Sequence, residues 1–82
     1  MMEFSEVTGF LRKSGYADYE PREKHLTFYD TDRMSFLYYP YAKKFDMDYD
    51  DGKIEKIDMT YYTPDKTIRK EITTIDDLYD SI

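Results

Sequence analysis

Eighty-two residues without a cysteine make one small domain, residues 1–82, with no disulfide to staple it. Eighteen acidic and twelve basic side chains leave a net charge of -6, which disfavours direct binding to nucleic-acid phosphates and to anionic membrane surfaces. No Cys, Trp, Asn or Gln and a single His exclude thiolate zinc sites and thiol nucleophiles, and remove the usual reader of adenine.

Residues 2–14 are expected to form a helix. Phe4, Val7 and Leu11 fall on one stripe with Phe10 beside it. Glu3 and Glu6 lie in its first turn, and Arg12 and Lys13 in its last, as the helix dipole favours. Gly15 suits a left-handed cap, and Gly9 marks close packing against a sheet. Residues 16–23 are expected as a connector, stopped by Pro21.

Residues 24–30 alternate as a strand, with Leu26 and Phe28 on one face and His25, Thr27 and Tyr29 on the other. Residues 30–33 turn. Residues 34–39 return as a second strand, apolar on both faces, and Pro40 marks an edge, bend or bulge. The next hairpin is expected to close on a three-residue loop, Asp50-Asp51-Gly52. Tyr49 then faces Lys53, Phe45 faces Ile57 and Tyr41 faces Tyr61. Lys44 opposes Asp58 and Asp46 opposes Lys56 on the other face. A two-residue loop would set Phe45 against Asp58, so the three-residue loop is preferred.

The turn Thr63-Pro64-Asp65-Lys66 leads to a strand over 67–72. Its register pairs Tyr62 with Thr67, Tyr61 with Ile68 and Ile57 with Ile72. The buried face becomes Tyr41, Phe45, Ile57, Met59, Tyr61, Ile68 and Ile72. Residues 74–82 read as a short helix. Thr74 and Asp77 form an incomplete capping box, and Ile75, Leu78 and Ile82 form its stripe. The expected fold class is α+β: an N-terminal helix, a five-stranded antiparallel meander sheet and a short C-terminal helix.

Asp46, Asp48 and Asp50 invite comparison with a calcium loop. Such a loop wants glycine at position six and glutamate at twelve; from Asp46 those positions hold Asp51 and Ile57. No metal or cofactor is expected. His25 has no nucleophile or ligand set near it in sequence and reads as structural. Phosphate-cradling glycine loops and nucleophile elbows are absent, so enzyme activity is not expected.

The acidic and tyrosine side chains carry the functional expectation. Asp46, Asp48 and Asp50 project from one strand face, about 6–7 Å apart by the strand rise. That spacing is comparable with successive phosphates on a nucleic-acid strand. With Lys44 and Lys56 paired, the free charge concentrates at Asp48, Asp50 and Asp51, beside Tyr49. Asp76, Asp77 and Asp80 form a second acidic group. Tyrosine is enriched at binding hot spots. In general character the chain resembles small accessory proteins of phages and mobile elements: short, acidic, rich in Tyr, Asp, Lys and Ile, and poor in Ala. That group includes inhibitors of restriction, CRISPR and DNA-repair enzymes. The resemblance is one of composition and transfers no residue roles.

The expected function is a non-catalytic, DNA-mimic type of inhibitor. It would bind a protein partner with a basic, nucleic-acid-handling surface through Asp46, Asp48, Tyr49, Asp50 and Asp51, or through Asp76, Asp77 and Asp80. Direct nucleic-acid binding is not expected. With no long apolar run and no basic leader, the expected location is cytoplasmic, in the host cell if phage-encoded. The alternative is an assembly domain acting as a homodimer through a sheet edge or a tyrosine-rich face.

Overall fold

The computed structural model describes residues 1–18, 21–30 and 42–82. Its elements are β1 (Met2–Glu3), α1 (Phe4–Lys13), β2 (Tyr16–Asp18), β3 (His25–Asp30) and β4 (Ala42–Asp48), then β5 (Lys53–Ile54), β6 (Ile57–Tyr62), β7 (Thr67–Ile72) and α2 (Ile75–Asp80). Five strands form an antiparallel sheet in the order β2-β3-β4-β6-β7, and β1 pairs with β5 in a separate two-stranded ribbon. The architecture is α+β.

Alternation along the strands builds the core. Leu26, Phe28, Phe45, Met47, Ile57, Met59 and Ile72 are buried on one sheet face. Val7 and Leu11 of α1 and Leu78 of α2 pack into the same cluster. Full burial of a side chain such as Phe45 contributes about 1.5–3 kcal/mol. Tyr16 meets Phe45 edge-on, with ring centroids 5.2 Å apart. Phe10 stacks on Tyr79 at 4.6 Å, tying the two helices together.

The amphipathic stripe lies on α1 as expected, but the helix is shorter than 2–14, because Met2 and Glu3 are extended and pair with β5; Gly15 takes the left-handed φ of 93° after it. Gly9 differs from expectation: it is exposed, with open space where a Cβ would stand. Residues 16–18, expected within a connector, form an edge strand. Its extension is helped by the Asp18 carboxylate, which accepts the Thr27 N–H at 3.1 Å. The expected strand 34–39, with residues 31–33, Pro40 and Tyr41, lies outside the described residues. β3 pairs directly with β4, with Phe28 opposite Phe45 and Leu26 opposite Met47.

The β6–β7 register is as expected: Tyr62 faces Thr67, Tyr61 faces Ile68 and Ile57 faces Ile72. The Thr63 hydroxyl and N–H both close the turn on Lys66. Ile68, however, stands at the sheet edge and is 37% exposed. Thr74 caps α2, accepting the Asp77 N–H at 3.1 Å, whereas the Asp77 carboxylate turns away to Lys70.

The β4–β6 register differs from both loop readings. Asp50 and Lys53 exchange backbone hydrogen bonds around the two-residue turn Asp51-Gly52. Asp51 (φ 51°) and Gly52 (φ 72°) are both left-handed, as a type I′ turn requires. Beyond it, Met47 faces Ile57 and Phe45 faces Met59. One extra residue therefore lies on the second strand between Lys53 and Ile57, a bulge. The cause is β5, which leaves β4 to pair with β1. Phe45, Ile57 and Met59 keep the expected face because the net shift is two residues. The ion pairs change: Asp46 faces Asp58, not Lys56, and Lys44 faces Thr60, not Asp58.

Candidate acidic binding site

The polar face of the sheet begins with cross-strand neighbours of β3 and β4. His25 faces Asp48 and Thr27 faces Asp46. His25 Nδ1 lies 2.6 Å from Asp48 Oδ1. The Thr27 hydroxyl donates to Asp46 Oδ1 at 2.6 Å, and His25 Nε2 lies 3.6 Å from the same oxygen. These contacts hold two carboxylates in defined positions on a rigid strand pair.

The same face carries carboxylates across the strands. Asp46 on β4 faces Asp58 on β6, and Asp58 faces Glu71 on β7. Neighbouring strands lie about 4.8 Å apart, and like charges directly opposite destabilise a sheet. Two lysines soften the repulsion. Lys44 Nζ is 3.5 Å from Asp46, and Lys56 Nζ is 4.0 Å from Asp58 and 3.5 Å from Glu71. Partial burial pulls the Lys44 ammonium down. The charge of the Asp46 carboxylate and its hydrogen bond, with electrostatic contributions from Tyr62 and Tyr29, outweigh it, and the net shift is upward.

At the end of β4 the chain turns through Asp50 and Asp51. Asp50 lies past the strand end, so the expected row of Asp46, Asp48 and Asp50 along one strand is only partly formed. Lys24 pairs with Asp50 at 3.2 Å, and its carbonyl accepts the Tyr49 N–H. The charge expected free at Asp48, Asp50 and Asp51 is thus partly engaged. Asp51 alone of the three forms no ion pair among the described residues. Tyr49 is half-buried, its ring 4.6 Å from that of Phe4.

These groups line an open groove of about 690 Å³ beside the turn. Seven carboxylates and three lysines border it, together with His25, Tyr49 and two methionines. It collects Asp46, Asp48, Tyr49, Asp50 and Asp51 from the sequence expectation and adds Glu23, Glu55 and Asp58. Asp76, Asp77 and Asp80 do not border it. They sit on α2, where Asp76 and Asp77 complement the first turn and Asp77 accepts from Lys70 at 2.7 Å.

Sequence reasoning missed Asp58, Glu71 and Thr27. The parity of Asp58 on its strand was readable, but its partner depended on the bulge. His25 and Thr27 needed the β3–β4 pairing, which the expected intervening strand obscured. Among the described residues, no group of His, Asp and Glu is arranged to hold a metal ion. No helix among them is long and apolar enough to cross a membrane. No protein-family model matches the chain, and neither does any curated protein or solved structure.

Proposed function

We propose that this is a small, non-catalytic inhibitor whose acidic groove and polar sheet face bind a basic, nucleic-acid-handling protein. The supporting observation is the carboxylate row Asp46–Asp58–Glu71, set directly opposite one another across three strands. A surface needed only for solubility has no use for like charges in register, and the arrangement costs sheet stability. Bound cations repay that cost, because each Lys or Arg entering the row or the groove relieves repulsion as it forms a new pair. Carboxylates about 4.8 Å apart across strands and about 6–7 Å apart along β4 form a two-dimensional array of negative charge. Such an array occupies the place of nucleic-acid phosphates in a cationic cleft. Tyr49, half-exposed at the margin, adds an aromatic contact. The site of action in this reading is the cytoplasm, that of the host cell for a phage-encoded protein.

The test is capture by the immobilised protein from native-host lysate, at low and high salt, with and without competing duplex DNA. The expected result is a basic protein released by salt and by DNA, and lost when Asp48→Lys and Asp50→Lys are combined. Capture that survives the double reversal, salt and DNA alike overturns the proposal.

A further inference from the structure

The outer side of β7 is a second surface, away from the groove. Thr67, Ile68, Arg69, Lys70 and Glu71 are all exposed, and no strand pairs with the outer side of β7 among the described residues. The phase of its backbone is fixed by the turn before it. The Thr63 N–H bonds the Lys66 carbonyl, so Thr63 and Lys66 are a hydrogen-bonded pair of the β6–β7 ladder. Hydrogen-bonded pairs alternate along an antiparallel ladder. Ile68, Lys70 and Ile72 therefore spend their N–H and C=O groups on β6, and Thr67, Arg69 and Glu71 direct theirs outward.

We infer that β7 pairs antiparallel with β7 of a second copy of this chain, about a two-fold axis at Lys70. A two-fold axis at residue 69 would set Arg69 against Arg69, and one at residue 71 would set Glu71 against Glu71. The axis at Lys70 sets Arg69 of each copy against Glu71 of the other, twice. In that register both are outward-directed residues, so their backbone groups exchange hydrogen bonds while their side chains form ion pairs. Ile68 then lies in register with Ile72 of the other copy, whose side chain is already buried in its own core, and the approaching strand shields the exposed Ile68.

Lys70 is the residue this register places against itself. Its ammonium is already turned towards α2, donating to Asp77 Oδ1 at 2.7 Å and to Ser81 Oγ at 3.2 Å. Neutralised in this way, it does not block the approach. Exposed sheet edges recruit other strands unless charge or shape prevents it, and here the charge pattern is self-complementary. The product is a continuous sheet with the two acidic grooves on separate copies. This reading does not rest on binding at the groove, although it shares Glu71, the end of the carboxylate row, which Lys56 already contacts at 3.5 Å.

Sedimentation velocity on the purified protein over a concentration series tests it without any partner. The wild type is expected to show a monomer–dimer equilibrium. Arg69→Glu sets four carboxylates around the axis and is expected to weaken association about tenfold or more. The swap R69E with E71R restores complementary pairs and is expected to restore the dimer. Both residues are exposed, and a native circular-dichroism spectrum with a cooperative thermal transition shows that each variant folds. A wild type that stays monomeric, a dimer untouched by R69E, or a swap that fails to restore association overturns the inference.

Discussion

Replacing Asp58 with Lys should stabilise the protein, although Asp58 is an exposed surface residue with a lysine beside it. Asp58 faces Asp46 on one side and Glu71 on the other. Opposed Cβ atoms in a sheet are about 5 Å apart, and two unit charges at that distance interact by about 0.8 kcal/mol in water. Lys44 and Lys56 compensate part of this, so each repulsive pair costs about 0.2–1 kcal/mol. Reversal turns both pairs attractive. It also loses the 4.0 Å contact of Lys56 with Asp58, an exposed pair. Such a pair contributes about 0.5 kcal/mol. The balance is a gain of about 1 kcal/mol, or about 4–8 °C in Tm for a domain of this size. Urea unfolding followed by circular dichroism measures it. At molar salt the screening length falls to about 3 Å, and more than half of the gain should vanish. A loss of stability, or a gain of equal size at high salt, would refute the electrostatic account of this face. The same variant should bind a basic partner less well, which separates what the row does for the fold from what it does for binding.

Gly9→Ala should stabilise α1 by about 0.5–1 kcal/mol, since Gly is a poor helix interior residue and a Cβ there meets open space; a loss in thermal unfolding would mean that the glycine is needed. Adjacent lysines should titrate in opposite directions from their ordinary value of 10.5. Burial, with the Lys70 charge, lowers Lys43, so between its folded value and 10.5 the unfolded chain holds more protons and stability rises with pH. Lys44 is raised, so its contribution is present below 10.5 and is lost as pH climbs through its folded value. Carbon-detected NMR of the two Cε signals checks this, and coincident titrations would contradict it.

Local turn chemistry decided how much of the fold could be read from the chain. The β6–β7 hairpin was legible to the residue, because Pro64 and Asp65 define its turn and nothing interrupts the ladder after it. The hairpin before it was not, because Lys53 and Ile54 answer to β1, a partner about fifty residues away that no local pattern announces. Side-chain parity survived the bulge, so Phe45, Ile57 and Met59 kept the expected buried face while the partners of Lys44, Asp46, Lys56 and Asp58 were wrong. β2 was too short, at three residues, for alternation to separate it from a connector. The acidic cluster was visible as composition, whereas its arrangement as a row across strands needed the register.

The β1–β5 ribbon also bears on how the first helix is held. Met2 faces Ile54, Glu3 bonds Lys53, and the Phe4 N–H donates to the Gly52 carbonyl at 2.9 Å. α1 has ten residues, below the about 12–15 at which an isolated helix becomes self-sustaining. Its anchor is made some fifty residues later in synthesis. Closing so long a loop costs about 2–3 kcal/mol more than closing a hairpin. The N-terminal anchor of α1 at the ribbon therefore depends on the acidic turn that carries Gly52 and Lys53.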